Sequence, residues 1–430
     1  PAAAADAVSL SNLVTEIRLA YDERCAGREP ESDAMQYLDI AEWQGELMDA
    51  PESAPGRSYW VDRDFTLGAD VELPFQSAGG TDSAMAAFAC SLDGDEAAAV
   101  IQAAQGAELD AASILLAAWM GLLRRMTLSS DVLVGVCVPG RDYEELEDPL
   151  GLLARTLPIG LDLSADPTFA ELATLASTAL SGAKAWQDCL QPDVLGLPDR
   201  LPFGFEARPA TEISSAAGVE FSILEREAQA EPQRCHLIIQ EQAAGFDFQW
   251  NYDSALFTPA LVERLSGQYR ALLRSATADA STPLSQLEIL GAGEWQRLVV
   301  DFNESTADYP RGQCAHHWFE EYARTTPDST AVRQGDQVLT YAQLDARANQ
   351  LAHQLQEMGV GPDVMVALCI DRSLDMVVSI LGILKAGGAY VPVDPTYPTD
   401  RIQFIIEDTR APVLVTQSRL ASQFSGGGAQ

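Results

Sequence analysis

The stretch PLSQLEILGAGEWQRLVVDFNESTADYP, residues Pro283–Pro310, divides this 430-residue chain into two parts with different sequence patterns. It contains a short apolar segment, a Gly-Ala-Gly break at 291–293, enough residues for about two helical turns, and a polar end that closes on Pro310. Glycine, proline and small polar residues between patterned segments mark turns and linkers. We therefore interpret the stretch as linker rather than core. The predicted organisation is a first domain at 1–290, a linker at 291–314 and a second domain at 315–430.

Acidic residues dominate the charge: 63 Asp and Glu stand against 27 Lys and Arg, a formal net charge of −36. Nucleic-acid binding without sequence preference requires clustered Lys and Arg against the phosphates. The composition therefore excludes that class of function, and it argues equally against binding to an anionic membrane surface. A solvated acidic surface, or a salt-adapted host, accounts for such a charge, which bears on solubility rather than on fold.

The seven cysteines are scattered and include no CxxC pair, which is typical of a reducing compartment and predicts no zinc site. The N-terminus lacks the basic, apolar and small-residue succession of a secretion signal. The longest apolar run, Ile114–Leu123, is well short of the roughly 20 residues that span a bilayer. We therefore predict a cytoplasmic location. Because residue 1 is proline and the chain ends in SGGGAQ, we also expect both ends to be cuts in a longer polypeptide.

The first domain is predicted to mix helices and strands in an α/β sandwich. Ala111–Arg125 is apolar nearly all round, which indicates a buried helix. Asp131–Val138 is mostly β-branched and apolar, which is typical of a strand covered on both faces. In Phe246–Tyr252 aromatic residues alternate with polar ones, so we expect a half-buried antiparallel strand. Further strands are predicted at 157–163 and 237–240, and further helices at 169–186 and 258–273.

A helix is also predicted near the N-terminus. Apolar residues at helical spacing mark one of its faces: Leu10, Leu13, Val14, Ile17 and Tyr21. Ser9 or Ser11 is the expected N-cap of this helix.

The second domain alternates helices and strands regularly, which predicts a parallel layered sheet. Thr340 is followed three residues later by Gln343, the spacing of a capping box at a helix start. A hairpin is expected across Gly335-Asp336. Other strands are expected at 363–369, 390–393 and 413–416, and helices at 315–325, 340–359, 373–385 and 400–409.

Five short motifs in the first domain are similar to those of the condensation domains of nonribosomal peptide synthetases. They are YxDxAxW at 37–43, the pair Tyr59-Trp60, the turn Pro139-Gly140-Arg141, a partial GxxxNT match at 151–156, and Trp186-Gln187-Asp188 in place of HQD. The GxxxNT match is partial because Arg155 stands where Asn is usual. The resemblance covers residues 1–290 and implies a chloramphenicol-acetyltransferase-like α/β fold whose N-terminal part is missing.

The catalytic motif of that family, HHxxxDG, is degenerate in this chain. Asp6 matches the motif Asp, whereas Pro1 and Ala2 occupy the two His positions and Ala7 the Gly position. Proline and alanine side chains cannot take up a proton, which is a role that the family assigns to the second His. The resemblance gives Asp6 a structural role in a charge pair, with Arg141 as its candidate partner. An N-cap role for Asp6 is compatible with that pair.

Two stretches of the second domain resemble the first core motifs of amino-acid adenylation domains. LTYAQL at 339–344 differs from the first motif only in having Gln343 for Glu, and LKAGGAYVPVDP at 384–395 matches every fixed position of the second. The resemblance implies the start of an adenylate-forming-enzyme (ANL) N-terminal domain. The linker is similar to the one that joins condensation and adenylation domains. Lys385 is interpreted as a charge at a helix end rather than as the family's catalytic Lys.

The resemblance implies a piece of a synthetase module. Its parent would activate an amino acid with ATP and join it to an upstream acyl or peptidyl thioester. The implied cofactors of the parent are ATP, Mg and the phosphopantetheine of carrier proteins, with none expected in this chain. The implied partners are peptidyl or acyl carrier protein domains and the remaining modules of the synthetase.

Two alternatives to this interpretation are open. A condensation-like domain without its histidines fits a non-catalytic platform that docks or gates carrier proteins or a tailoring enzyme. An acyl-CoA ligase is disfavoured, because a condensation-like half precedes the linker. His316-His317 is the only HH pair in the chain, but it lies past the linker on a predicted helix, so we do not expect it to be catalytic.

The glycine clusters of the chain do not have the sequence context of a phosphate-binding loop. Gly291 and Gly293 are followed by Glu294, and Gly387-Gly388 matches a packing position of the family motif. We therefore expect residues 1–430 alone not to form an aminoacyl adenylate.

Overall fold

The computed structural model of the chain describes residues 5–29, 35–66, 68–69, 71–77, 84–92, 94–198, 200–210, 214–221, 223, 233–243 and 245–424. The chain divides into two compact units, Pro1–Glu304 and Ser305–Gln430. The boundary between the units falls inside the predicted linker. Within the described residues no single helix is long and apolar enough to cross a membrane, although Gly94–Ala107 and Ala111–Thr127, bent by 103°, meet the length and composition criteria together.

The helices of the first unit include the predicted buried helix. They are α1 (Ala7–Cys25), α2 (Tyr37–Asp49), α3 (Ala54–Val61), α4 (Gly94–Ala107), α5 (Ala111–Thr127), α6 (Phe169–Ala185), α7 (Pro259–Ala278) and α8 (Ala292–Trp295). In α5 residues 113–123 are all buried, as predicted from an apolar pattern without a polar face. Asp110 caps this helix, because its carboxylate accepts a hydrogen bond from the Ser113 backbone N at 2.7 Å.

A mixed sheet forms the other layer of the first unit. The strands of this unit are β1 (Met85–Ser91), β2 (Asp131–Val138), β3 (Arg155–Asp162), β4 (Phe203–Arg208), β5 (Ser214–Ala216), β6 (Val219–Phe221), β7 (Cys235–Gln242) and β8 (Gly245–Asp253). The sheet order is β1-β8-β7-β4-β2-β3, with β4 parallel to both β2 and β7 and the other pairs antiparallel. The predicted bounds of β2 are confirmed, and β8 is antiparallel and alternates in burial as expected.

The core of the first unit lies between this sheet and the helices. Trp119 of α5 packs edge-on against Trp250 of β8, with ring centroids 5.2 Å apart. Tyr269 of α7 is buried and donates its hydroxyl hydrogen bond to the Leu115 carbonyl at 2.9 Å. Burying aromatic rings of this size contributes a large part of the apolar stabilisation of a core.

Strands β1 and β4 were not predicted from the sequence. The sequence of β1, MAAFACS, is rich in alanine, which has low strand propensity. Its pairing with β8 places Phe88 opposite Trp250 and thereby supplies the cross-strand contacts that stabilise a sheet. Strand β4 is short and contains a glycine and two charged residues, but it lies between β2 and β7 in the sheet.

Helix α1 differs from its prediction in two respects. Its N-cap is Asp6, whose carboxylate accepts from the Ser9 backbone N at 2.7 Å. The N-cap role considered for Asp6 is therefore confirmed, and the assignment of Ser9 or Ser11 as the cap is wrong. Much of its apolar face is also exposed: Leu13, Ile17 and Tyr21 are 43%, 52% and 40% accessible. The Tyr21 ring contacts Phe221 edge-on at 5.9 Å between centroids.

The start of the stretch Pro283–Pro310 is core, and our interpretation of the whole stretch as linker is wrong there. Leu284 and Leu287 are each only 1% exposed. Arg125 Nη1 donates to the backbone carbonyls of both residues at 2.7 Å, which ties this segment to the end of α5. After Gly291 the chain forms α8 and a π-helical turn at Gln296–Val300, with no buried residue in either.

The second unit has the predicted alternation. Its helices are α9 (Ala315–Thr325), α10 (Tyr341–Glu357), α11 (Leu374–Ala386) and α12 (Thr399–Thr409), and its strands are β9 (Thr330–Gln334), β10 (Gln337–Thr340), β11 (Met365–Cys369), β12 (Ala389–Pro392) and β13 (Val413–Thr416). Strand β11 pairs in parallel with both β12 and β13, and β9 and β10 form the expected hairpin.

The predicted capping box of the second unit is confirmed at the start of α10. Thr340 Oγ1 accepts from the Gln343 backbone N at 3.3 Å, and Gln343 Oε1 accepts from the Thr340 backbone N at 3.0 Å. The turn after α11 requires glycine, because Gly387 has φ +94° and a Cβ at Gly388 would lie 2.7 Å from Val360 Cγ1. The glycines of LKAGGAYVPVDP therefore allow the close approach of helix and strand.

Candidate active site

The carboxylate of Asp6 is the centre of a buried hydrogen-bond network at the start of α1. Its Oδ1 accepts from the Ser9 backbone N at 2.7 Å and from Ser9 Oγ at 2.8 Å. Its Oδ2 accepts from the backbone N of Leu153 and of Ala154, each at 2.9 Å. Asp6 therefore joins the first turn of α1 to the segment that precedes β3, in addition to capping the helix.

Arg141 lies beside Asp6, as the resemblance suggested. Its Nη2 donates to Asp6 Oδ1 at 3.1 Å and to Ser9 Oγ at 2.9 Å. Its Nη1 donates to the carbonyls of Leu146 at 2.7 Å and Pro149 at 2.9 Å. Both charged side chains are almost fully buried, at 4% and 2% exposure. One guanidinium thus connects α1 with the loop between β2 and β3.

Two glycines permit this close packing. A Cβ at Gly140, which has φ +66°, would lie 1.9 Å from the Leu153 carbonyl oxygen. A Cβ at Gly151 would lie 2.2 Å from the Tyr37 ring, whose hydroxyl donates to the Leu152 carbonyl at 3.3 Å. The motifs at 37–43, 139–141 and 151–156 are therefore in contact through one loop.

The electrostatics of the pair favour an ionised Asp6. Burial alone would raise the pKa of Asp6, but the Ser9 hydrogen bonds, the charge of Arg141 and the Leu153 amide together hold its pKa below its ordinary value of 3.8. The carboxylate is thus charged and fully engaged at neutral pH. It acts as an anchor and is not a candidate proton acceptor.

The remaining condensation-like motifs form a second hydrogen-bond network. Trp60 Nε1 donates to the Trp186 carbonyl at 2.8 Å. Arg155, which stands at the usual Asn position, pairs with Asp188 at 3.2 Å. Burial, and after it the negative charge of Asp142, raise the pKa of Asp188 even though Arg155 lowers it. Gln187 Nε2 also donates to the Asp142 carboxylate, which follows Arg141 directly.

Pro1 and Ala2, the residues at the histidine positions, lie outside the described residues. Ala7, at the motif Gly position, is the first residue of α1. Of the degenerate HHxxxDG motif, the described hydrogen-bond network contains Asp6.

A cavity of about 270 Å³ lies beside this network. One wall comes from α1, including Val8, Ser11 and Val14, and another comes from the ends of β2 and β4. The cavity has the concave, largely apolar form of a small-molecule site with a few polar groups, although it is small for one. Because Asp6 and Arg141 fix α1 against the loop after β2, they also fix two sides of this cavity.

A polar cluster that was not predicted from the sequence lies on β4 and β7. Glu206 and Arg208, both lining the cavity, form a bidentate pair at 2.6 and 3.0 Å. His236 Nε2 lies 4.0 Å from Glu206 Oε2, and neither ring nitrogen has a hydrogen-bond partner among the described residues. Burial, with a smaller effect of Arg208, lowers the pKa of His236 to about 4 although Glu206 raises it, so the imidazole is neutral. The i, i+2 spacing of Glu206 and Arg208 is the sequence signal that could have identified the pair.

In the second unit, Lys385 is more than a charge at a helix end. It lies in the last turn of α11 as interpreted, but its Nζ also donates to Glu320 at 2.7 Å, Asp345 at 2.8 Å and Asn349 at 2.9 Å. Burial works against its charged form, but hydrogen bonds to Asp345 and Glu320 outweigh it and raise the pKa of Lys385. This network joins α9, α10 and α11, and its role is structural.

His316 and His317 lie on α9, as predicted. His317 Nδ1 accepts from the Cys314 backbone N at 3.1 Å, which helps to cap the helix. Within the described part of the chain, no three His, Cys, Asp or Glu side chains lie together as a metal site would require.

Two family models match the chain in tandem. Residues 3–194 match the family described as condensation domain, and residues 319–427 match the family described as AMP-binding enzyme. Among curated relatives, a component of the linear gramicidin synthase of Brevibacillus parabrevis is 33% identical over 98% of this chain. The chain spans only 6% of the length of that relative.

Solved structures have a similar fold. The nonribosomal peptide synthetase FmoA3, bound to AMPPNP, has 22% identity and a TM-score of 0.71, with 97% of this chain and 46% of that chain covered. The complex of the X-domain and OxyB from teicoplanin biosynthesis has 25% identity and a TM-score of 0.59, covering 67% of this chain and 68% of that chain. The fold class predicted from the motifs is thereby confirmed. The chain belongs to the nonribosomal peptide synthetases, within which it comprises a condensation-domain segment followed by a segment of an AMP-binding domain.

Proposed function

We propose that the parent polypeptide activates an amino acid with ATP and joins it to an upstream acyl or peptidyl thioester. The observation that carries this proposal is the tandem match of a condensation domain and an AMP-binding enzyme on one chain. In the joining step the acceptor amine attacks the thioester carbonyl carbon. A C–N bond forms and the C–S bond breaks. The proton lost by the amine ends on the leaving sulfur, which departs as a thiol.

The residues of this chain would act in that step mainly by positioning. The Asp6–Arg141 pair holds the start of α1 against the loop between β2 and β3. Pro1 and Ala2 offer no imidazole to take the proton of the amine. Placing the amine against the thioester in a sheltered cavity can itself give a large rate enhancement. We therefore propose a condensation domain that works by proximity and is slower than one with both histidines.

The cofactors and partners are part of the same proposal. ATP with Mg would serve the adenylation reaction of the parent, and phosphopantetheine would present both thioesters on peptidyl or acyl carrier protein domains. The other modules of the synthetase would supply the upstream thioester and accept the product. We also propose that the reaction takes place in the cytoplasm.

The direct test supplies the parent polypeptide with a donor carrier protein loaded with an acyl thioester, together with ATP and the standard amino acids. Mass spectrometry of the carrier-bound product reports amide formation, and amino-acid-dependent pyrophosphate exchange reports adenylation. The proposal predicts both signals. Exchange without any amide would contradict the joining step and favour a non-catalytic role for the condensation domain.

The alternative function is a non-catalytic platform that docks a tailoring enzyme or gates carrier proteins. Two observations favour it: the degenerate histidine positions, and the likeness to an X-domain solved in complex with OxyB. The two functions differ in one measurable outcome. A platform with Asp6 and Arg141 intact would bind its partner protein. It would form no amide under any loading of the carrier proteins.

A further inference from the structure

The Glu206–Arg208 pair lies where a ligand of the cavity would meet it. Residues 204, 206 and 208 of β4 share one face of the sheet, because side chains alternate along a strand. Glu206 and Arg208 line the cavity, and their side chains are only 12% and 9% exposed. Buried charges at a cavity wall indicate a polar contact with whatever occupies the cavity.

The guanidinium of Arg208 has N–H donors that its pair with Glu206 does not use. Its Nε donates to Glu206 Oε1 at 2.6 Å and its Nη2 donates to Glu206 Oε2 at 3.0 Å. Its Nη1 has no hydrogen-bond partner among the described residues. A guanidinium carries five N–H donors in a rigid plane, so one held by a carboxylate on one edge can present the others to a ligand.

Charge balance selects the type of ligand group. The carboxylate of Glu206 already compensates Arg208, and the neighbouring His236 is uncharged. A carboxylate ligand would add an unbalanced buried negative charge, and an ammonium ligand an unbalanced positive one, each at a high desolvation cost. A neutral carbonyl oxygen accepts from Nη1 without disturbing the balance.

We propose that Arg208 binds a carbonyl oxygen of a neutral acyl or aminoacyl group in this cavity, and that Glu206 positions the guanidinium for this contact. Apolar lining residues such as Val8, Val14 and Phe221 would contact the rest of that group. His236 lies behind Glu206 at 4.0 Å and adds no charge to the site. The proposal rests on the proposed function, whose thioester substrates carry such groups, but its test involves no condensation step.

The test is direct binding to the full chain by calorimetry with three probes that share one side chain. N-acetyl-leucinamide is neutral, N-acetyl-leucine is anionic at pH 7, and leucinamide is cationic. We expect saturable binding of the neutral probe and at least tenfold weaker binding of the other two. Equal or tighter binding of either charged probe would overturn the proposal, and so would the absence of saturable binding.

The variants separate ligand contact from folding. The double variant Glu206→Gln with Arg208→Met keeps the wall uncharged but removes the donors, and we expect it to bind the neutral probe about tenfold or more weakly. Arg208→Lys keeps the charge without the planar fork and should give an intermediate loss. The matched control, Glu23→Gln with Arg28→Met, removes an exposed pair on the same unit and should leave binding unchanged. Thermal unfolding verifies that each variant is folded.

Unchanged binding by a folded double variant would overturn the role of Arg208. If the double variant fails to fold, Arg208→Lys takes its place. Unchanged binding of the neutral probe by folded Arg208→Lys would then overturn the role of Arg208. Amide formation by the parent without probe binding would contradict this inference alone. Probe binding without amide formation would instead contradict the proposed function.

Discussion

Arg141 and Asp6 are 135 residues apart in sequence, yet Arg141 Nη2 lies 3.1 Å from Asp6 Oδ1 with both side chains buried. The pair is completed by donors and acceptors from the backbone, among them the Leu153 amide and the Leu146 carbonyl. A buried charge whose partner is removed is left uncompensated, which is far more costly than losing an exposed pair.

We therefore expect Arg141→Met to lower the free energy of unfolding of the first unit by about 3 to 5 kcal/mol. Urea unfolding followed by tryptophan fluorescence measures this change. The control is Arg28→Met, which breaks an exposed pair with Glu23 in the same unit and should alter stability little. A loss for Arg141→Met no larger than that of the control would show that the network contributes nothing to folding.

His236 predicts a specific pH dependence of stability. Its folded pKa is lowered to about 4, chiefly by burial, whereas an unfolded His titrates near 6.5. Between these values the unfolded chain binds a proton that the folded chain does not, so stability falls as pH falls through this window. The loss should be about 2 kcal/mol between pH 7 and pH 5.

The variant His236→Gln should lack this part of the pH dependence. Urea unfolding at pH 7 and at pH 5 gives the comparison, and His353→Gln on the exposed part of α10 is the matched control. Parallel pH profiles for wild type and His236→Gln would contradict the burial of a neutral imidazole.

Limited proteolysis should locate the true linker. Residues 284 and 287 are buried, residues 292–300 are helical, and residues 304–314 are exposed without a helix or strand. We therefore expect trypsin to cut first after Arg311 and only later after Arg297, which lies in the π-helical turn. Mass spectrometry of early digests identifies the first cut.

In the variant Arg311→Gln the early fragments should appear much more slowly. Initial cleavage at Arg297 in the unmodified chain would mean that the helical segment opens more readily than the structure indicates. It would also place the most accessible part of the linker nearer to the first unit, around Arg297 rather than Arg311.

The parts of the fold that could be predicted from the sequence are those with a strong local pattern. Helix α5, strand β2, the capping box at Thr340 and the parallel strands of the second unit all follow from periodicity and turn residues. The bounds of α9 also match, because its apolar residues recur at helical spacing. Each of these signals is contained within about 20 residues of sequence.

The remaining features depend on contacts between distant segments. Strand β1 is stabilised by pairing with β8, and Leu284 is buried in the core of the first unit, where Arg125 donates to its carbonyl. The Asp6–Arg141 pair was proposed only through a resemblance. The cluster of Glu206, Arg208 and His236 forms because β4 and β7 pair in parallel. Local periodicity contains no information about which strands pair.

The measurement that tests the account most directly is the single-turnover rate of amide formation by the parent polypeptide, compared with the variant Ala2→His. General acid–base assistance typically contributes about 100- to 10,000-fold. If the natural sequence works by positioning alone, it forms the amide slowly and Ala2→His raises the rate within that range. An unchanged rate in the variant, or the absence of amide with either protein, would contradict the account.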